Sequence, residues 1–126
     1  MSDPHFFGYG SLVNTATHSY PRAQKATLKG WKRSWVRIEA HEVAILTAVP
    51  ADEKIQIQGL IAAVPQADWG ALDQREAGYQ RIPSKGHVRH NDTAVTDIAH
   101  YAIPSKDMIG ITIYRLFRLA MKIGPT

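Results

Sequence analysis

The sequence predicts an α+β fold in which a mixed or antiparallel sheet is accompanied by one or two helices. Short apolar or alternating segments recur along the chain, two segments show helical spacing of apolar residues, and no regular βαβ alternation appears. A closed or partly closed small barrel fits this inventory, because closure hides the strand edges. The 126 residues suit one domain, so we expect a single domain over residues 1–126.

The first half of the chain is predicted to be mostly extended. An apolar strand over residues 5–9 runs into Gly10, and residues 10–22 are rich in Gly, Ser, Asn, Thr and Pro, which favours a long loop. Residues 23–38 form an extended stretch with a break near Gly30. Two further strands, each closed by a proline, are predicted over residues 42–49 and 54–64.

Apolar spacing changes from strand-like to helical over residues 66–77. Trp69, Leu72 and Glu76 fall at i, i+3 and i+7, and Gly78 stands where a helix commonly ends. Strands are expected near residues 79–88 and 94–103. A second helix with Ser105 as a candidate cap is predicted from the apolar stripe of Ile109, Ile113, Leu116, Phe117 and Ala120.

The composition excludes several classes of protein. The chain has no cysteine, which removes disulfide frameworks, thiolate zinc sites and cysteine nucleophiles and suits a reducing compartment. The first residues show no basic segment followed by an apolar one, and no apolar run approaches the roughly 18 residues of a membrane span. We therefore expect a cytoplasmic protein without a membrane partner.

The formal charge of +4 raises the possibility of a nucleic-acid partner. Basic and aromatic residues alternate over residues 29–37, so that on a strand Trp31, Arg33, Trp35 and Arg37 share one face. This face would make a stacking platform for single strands. The favoured interpretation is a strand whose tryptophans reach the core while the guanidinium groups stay in water, with no nucleic acid bound.

Two segments carry candidate chemistry. In the first, Tyr9, Gly10, Ser11 and Leu12 follow the first strand, and a Gly-Ser turn can bare backbone N–H groups as an anion-binding nest. It is no dinucleotide fingerprint, because Val13 stands where a third glycine is needed. The alternative interpretation is a plain tight turn.

The second segment is centred on Glu76, a carboxylate at the end of an otherwise apolar helix stripe. Asp73 lies three residues earlier on the same face. Partial burial beside another acid would raise the pKa of Glu76 and suit it to accept a proton. The alternative is a surface acid paired with Arg75 or Arg81. The histidines show no metal-ligand spacing that would predict a metal site.

Together these segments resemble the gamma-glutamylcyclotransferase-like family. The residues that carry the resemblance are Phe7-Gly8-Tyr9-Gly10-Ser11-Leu12, then Leu28-Lys29-Gly30-Trp31-Lys32-Arg33, then Leu72-Asp73-Gln74-Arg75-Glu76-Ala77-Gly78-Tyr79. The family includes ChaC-type enzymes, gamma-glutamylamine cyclotransferases and AIG-type plant proteins, and the resemblance spans about residues 5–105.

The resemblance implies a small mixed β-barrel with a few flanking helices and an activity in glutathione or related γ-glutamyl metabolism. It implies that Glu76 is the catalytic acid/base and that Tyr9, Gly10, Ser11, Leu12 and Tyr79 bind a small γ-glutamyl substrate, which cyclises to 5-oxoproline. The chemistry needs no cofactor or metal. The chain departs from the family pattern at Met108, which stands near the place of a family tyrosine. A non-catalytic binding module of the same fold is therefore the competing reading, ahead of a basic nucleic-acid-binding barrel.

Overall fold

Eight strands and one α-helix make up the regular framework of residues 3–10, 20–39 and 44–109, which the computed structural model describes. Ser11, Leu12 and the predicted C-terminal helix beyond Ile109 lie outside these residues, whereas Ser105, its candidate cap, begins a 3₁₀ turn, Ser105–Asp107, and makes no capping hydrogen bond within the described part of the chain. The elements are β1 His5–Gly8, β2 Gln24–Lys29, β3 Trp31–Val36, β4 Ile45–Pro50, β5 Gln56–Ala63, α1 Trp69–Arg75, β6 Gln80–Pro83, β7 Val88–Arg89 and β8 Ile98–Ala102.

The main sheet has six strands in the order β6-β8-β1-β5-β2-β7. The β1–β8 pair is parallel and the other pairs are antiparallel, so the sheet is mixed. It curls into a half-barrel, and β3 and β4 pair as a separate two-stranded sheet. The predicted α+β fold with a small mixed barrel is thereby confirmed.

Neighbouring phenylalanines of β1 point to opposite faces of the main sheet. Phe7 packs on one face with Ile61 of β5 and with Ala48 of the small sheet. Phe6 packs on the other face with Leu72, the buried residue of α1. Both rings are almost fully buried, and burying each contributes about 1.5–3 kcal/mol. The small sheet and the helix therefore cover opposite faces of the half-barrel.

The backbone requires glycine at two positions, Gly30 and Gly59. Gly30 joins β2 to β3 with φ +80, in the left-handed region that glycine enters freely. At Gly59 of β5, an added Cβ would lie 2.1 Å from the carbonyl oxygen of Gly8, because β1 crosses β5 closely there. A side chain at position 59 would push β1 away from the sheet.

The predicted helix over residues 66–77 is shorter in the structure. A 3₁₀ turn, Pro65–Ala67, precedes it, with Gln66 and Ala67 at φ 57 and 55, so α1 begins only at Trp69. The predicted strand over residues 79–88 is likewise divided. Its first part ends at Pro83, which has no N–H to continue the ladder.

The burial of the two tryptophans on β3 agrees only in part with the favoured interpretation. Trp31 is partly buried and packs its ring edge against His100, with centroids 4.3 Å apart. Trp35, by contrast, is 53% exposed, while Ser34 and Val36 are the buried side of β3. The interpretation that both tryptophans reach the core is therefore wrong for Trp35. The two rings do not form a common exposed platform, so the geometry does not favour the stacking alternative.

Candidate active site

A cavity of about 360 Å³ opens where β1 ends. Its lining includes four of the six predicted site residues: Tyr9, Gly10, Glu76 and Tyr79. Two segments of the chain supply them, residues 9–10 after β1 and residues 76–79 between α1 and β6, and the fold brings these segments together at one cavity. Phe7, Gly8, Trp35, Ala44, Ile45, Leu46 and Tyr101 complete the lining among the described residues.

The Tyr9 side chain joins the two sheets. Its hydroxyl donates to the carbonyl oxygen of Tyr101 in β8 and accepts from the N–H of Ala48 in β4, at 3.1 Å. Burial raises the pKa of Tyr9, and the carboxylate of Glu76 adds a smaller effect in the same direction. The ring of Tyr9 thus walls the cavity, while its hydroxyl is already used to hold the walls together.

Tyr79 lies against the same strand edge. Its hydroxyl donates to the carbonyl oxygen of Leu46 at 2.6 Å. Leu46 and Ala48 are two residues apart in β4, so their main-chain groups face the same edge. The hydroxyls of Tyr9 and Tyr79 thus bond one edge of β4. Burial raises the pKa of Tyr79, and the nearby Glu76 raises it further.

Glu76 is the C-cap of α1, one residue beyond the end of the helix. Its side chain is half-buried at the cavity wall, and it has no hydrogen-bond or ion-pair partner among the described residues. Burial raises the pKa of Glu76, whereas the charge of Arg75 acts in the opposite direction. The expected direction of the shift is present, but its cause is desolvation and not the neighbouring Asp73.

Asp73 and Arg81, which lie near Glu76 in the sequence, are engaged with each other. The guanidinium of Arg81 contacts both carboxylate oxygens of Asp73, at 3.0 and 3.1 Å. The same carboxylate accepts a hydrogen bond of 2.5 Å from the hydroxyl of Tyr101. These contacts anchor α1 to β6 and β8. Because Arg81 binds Asp73, it is not the ion-pair partner of Glu76, which removes one of the two partners that the alternative interpretation named.

A tight turn fixes the separation between Glu76 and Tyr79. The N–H of Tyr79 donates to the carbonyl oxygen of Glu76 at 3.0 Å, which closes the turn. Gly78 stands inside the turn at φ +93, where a residue with a side chain is strained. The glycine read from the sequence as a helix stop therefore also directs both side chains to one cavity.

Sequence reasoning missed three residues of the site. Leu46 offers its carbonyl to Tyr79, Trp35 forms part of the rim, and Arg33 donates from Nε to the carbonyl oxygen of Tyr9 at 3.0 Å. Arg33 and Trp35 stood out in the sequence as members of an alternating strand face. The alternation of basic and aromatic residues marked this face of β3, but it gave no information on which loop the face contacts.

No cluster of three or more His, Asp or Glu side chains suited to a metal ion occurs among residues 3–10, 20–39 and 44–109. The two buried imidazoles, His5 and His100, lie on the sheet face opposite α1 and outside the cavity lining. Within the same residues, no helix is both long and apolar enough to cross a membrane.

Comparison of the sequence with protein families decides the relationship. A profile described as gamma-glutamyl cyclotransferase, AIG2-like, matches residues 6–114. The chain belongs to this family. The match includes the β1 segment, the cavity and the whole of the Glu76 turn. No curated protein shows significant sequence similarity to the chain.

Several solved structures share this fold. A protein of Arabidopsis thaliana, known from a solution structure, is 21% identical with a TM-score of 0.61, over 98% of this chain and 85% of that one. A gamma-glutamyl cyclotransferase is 18% identical with a TM-score of 0.61, over 86% and 69% of the two chains. A yeast gamma-glutamyl cyclotransferase specific to glutathione is 16% identical with a TM-score of 0.64, over 87% and 73%.

Proposed function

We propose that this cyclotransferase-family protein releases 5-oxoproline from a γ-glutamyl peptide or amine, with Glu76 as general acid and base. One observation carries the proposal. A half-buried carboxylate with a raised pKa, unpaired among the described residues, lies in the same cavity as the Tyr9-Gly10 segment. A carboxyl group in such surroundings is suited to exchange protons near neutral pH.

The substrate supplies its own nucleophile in this reaction. Glu76 removes a proton from the α-ammonium group, and the resulting amine attacks the γ-carbonyl carbon to close a five-membered ring. The ring nitrogen gives its second proton to water, and the tetrahedral intermediate collapses as the protonated Glu76 gives its proton to the leaving nitrogen. The released amine then takes up a proton from water. One C–N bond forms, another breaks, and Glu76 returns to its initial state.

The cavity contributes chiefly by holding the γ-glutamyl chain curled. Positioning an internal nucleophile can correspond to effective molarities of roughly 10⁵ M or more. The rings of Tyr9 and Tyr79 are suited to this because their hydroxyls are bonded to backbone atoms, which restricts both side chains. At Gly10, an added Cβ would already lie 3.4 Å from Cδ2 of Leu46, so glycine keeps this side of the cavity open.

Substrate recognition in this proposal begins with the loop that follows β1. Backbone N–H groups at Gly10, Ser11 and Leu12 bind the α-carboxylate, with Ser11 and Leu12 assigned from the family resemblance alone. The proposed reaction uses no cofactor. We also propose a cytoplasmic location, because a chain without cysteine suits a reducing compartment. A γ-glutamyl peptide such as glutathione, a γ-glutamyl amino acid and a γ-glutamyl amine all carry the group that the cavity would hold.

The test is a direct assay of the product. The protein is incubated with a panel of γ-glutamyl compounds that includes glutathione, and 5-oxoproline is measured by mass spectrometry. We expect release from at least one compound, and we expect Glu76→Gln to lower the rate about 100-fold or more, since Gln cannot take up a proton.

Glu53→Gln is the matched control, because Glu53 is an exposed carboxylate in the turn between β4 and β5. It should keep the wild-type rate. Failure of every compound to give 5-oxoproline would refute the enzymatic proposal and favour a binding module. Activity of Glu76→Gln within tenfold of wild type would instead refute the role of Glu76.

A further inference from the structure

Arg33 of β3 binds the main chain at the place where β1 and β5 separate. The last paired residues of these strands are Gly8 and Leu60. Beyond them, Nε of Arg33 donates to the carbonyl oxygen of Tyr9 at 3.0 Å, and a terminal nitrogen donates to that of Gln58 at 2.8 Å. One guanidinium group thus links the two main-chain segments just beyond the last pair of the β1–β5 ladder.

The Tyr9 bond has a consequence for the next peptide group. The described residues contain no cis peptide, so the Tyr9 carbonyl and the Gly10 N–H point in opposite directions across their shared plane. Gly10 lines the cavity, whereas Arg33 does not. A carbonyl held towards Arg33 therefore turns the Gly10 N–H away from the guanidinium, to the cavity side.

We propose that Arg33 is a positioning residue for substrate binding: by holding the Tyr9 carbonyl, it aims the Gly10 N–H at the carboxylate of the ligand. This inference rests on the proposed function for the identity of the ligand, which is a compound whose γ-glutamyl group has a free α-carboxylate. Arg33 itself does not touch the substrate.

Hydrogen bonds hold both the side-chain hydroxyl and the main-chain carbonyl of Tyr9, which fixes the direction of the Gly10 N–H. Its hydroxyl is bound between Tyr101 and Ala48, and its carbonyl is bound by Arg33. A lysine could replace the charge of Arg33 but not its planar fork, which presents several fixed donors at once. The geometry therefore predicts that arginine is needed here for its shape as well as for its charge.

The test compares Arg33→Ala and Arg33→Lys with Arg89→Ala. Arg89 is an exposed cation of β7 that lines neither the cavity nor the Tyr9 segment, so its loss controls for the change in net charge. We expect both Arg33 variants to raise KM about tenfold while kcat changes less than threefold, because the carboxylate contact is made in the ground and transition states alike. Arg89→Ala should match wild type.

A second measurement does not depend on turnover. In ¹⁵N-labelled protein, the Gly10 amide signal should shift as 5-oxoproline, which retains the carboxylate, is added. The apparent Kd from this titration should rise about tenfold in Arg33→Ala and in Arg33→Lys but not in Arg89→Ala. Arg33→Lys keeps the charge and the long aliphatic stem, so it provides the comparison if Arg33→Ala folds poorly.

The outcomes separate the two proposals. If wild type gives no 5-oxoproline from any γ-glutamyl compound but the Gly10 shift depends on Arg33, the proposed enzymatic function fails and the positioning role stands. If wild type turns over and Arg33→Lys matches Arg89→Ala in both KM and the Gly10 titration, the positioning role is overturned. An unshifted Gly10 amide at saturating 5-oxoproline in wild type also overturns it.

Discussion

At the scale of single residues, the site depends on a contrast between two acids that are three positions apart. Asp73 is saturated by Arg81 and the Tyr101 hydroxyl, and it anchors α1 to the sheet. Glu76 is left at the cavity wall without a partner among the described residues, and its burial raises its pKa. The same functional group, a carboxylate, therefore has a structural role at Asp73 and a proposed chemical role at Glu76.

The raised pKa of Glu76 predicts a cost in stability at neutral pH. Because the folded state binds the proton more tightly, the contribution of Glu76 is fully present below its unfolded pKa and is lost as pH rises through the folded pKa. Glu76→Gln should therefore be at least as stable as wild type at pH 7. In denaturant titrations the difference should shrink towards pH 4. A variant that is clearly less stable than wild type at pH 7 would contradict this account.

The two tyrosines of the cavity should differ in their contribution to stability. Tyr9→Phe leaves the buried N–H of Ala48 and the carbonyl of Tyr101 without their partner, which should cost about 1–3 kcal/mol. Tyr79→Phe removes one bond to Leu46 beside the cavity, where water can replace the hydroxyl, and should cost about 1 kcal/mol or less. Urea unfolding would measure both values, and the opposite ranking would contradict the proposed link between the sheets through Tyr9.

At the scale of elements, the end of α1 matters more than its length. The helix has seven residues, too few to be stable alone, and Leu72 and the Asp73 contacts fix it on the sheet. Its last turn leads through Gly78 to Tyr79, and this route brings an acid and a phenol to one cavity. The element is best regarded as a support for the turn.

Gly78→Ala tests that view of the turn. The substitution puts a side chain at φ +93, which should cost about 1–2 kcal/mol and displace Glu76 relative to Tyr79, so that turnover falls as well. Gly86→Ala is the matched control, because an added Cβ there meets nothing within 4 Å and its φ lies outside the left-handed region. Chemical denaturation and the 5-oxoproline assay would show whether the two variants differ. Equal behaviour would mean that the turn tolerates an L side chain.

Met108 lies just before the predicted C-terminal helix. The residue packs against Val36, Ile38 and Ile103 and forms an isolated bridge with Ile38. Its side chain therefore has a packing role, and it is not part of the cavity lining. The predicted helix over the apolar stripe that begins at Ile109 stays a prediction.

At the scale of the whole molecule, the half-barrel encloses two imidazoles that lack full hydrogen bonding. Neither ring nitrogen of His100 has a partner, nor has Nε2 of His5, among the described residues. Burial lowers the pKa of His100 to about 4, with a smaller contribution from His87, and burial also lowers that of His5. Burial thus favours the neutral form of both rings in the folded protein.

Acid should therefore destabilise the protein through His100. Its folded pKa lies below its unfolded value, so the unfolded state binds the extra proton and stability is lost as pH falls from about 6.5 to about 4. The slope for one proton is at most about 1.4 kcal/mol per pH unit. His100→Leu should show a shallower loss of unfolding free energy over this range. Identical slopes for variant and wild type would rule out His100 as a contributor.

The sequence by itself determined what depends on local order. Apolar alternation predicted the strands, the glycines at 30 and 78 marked real changes of direction, and the two motifs around Gly10 and Glu76 identified the family. What it missed locally has a physical reason. Pro65 and the left-handed Gln66 and Ala67 delay the start of α1 to Trp69, three residues after the predicted start at residue 66.

The tertiary structure alone decided which distant groups meet. Asp73 rather than Glu76 binds Arg81, the Tyr9 hydroxyl joins β8 to β4, and Arg33 reaches the Tyr9 carbonyl. Periodicity reports which face of a strand is apolar, but it carries no information about which strand or loop lies opposite. The burial of a side chain depends on those tertiary neighbours. The raised pKa of Glu76 is therefore a property of the folded half-barrel, which removes its carboxylate from water.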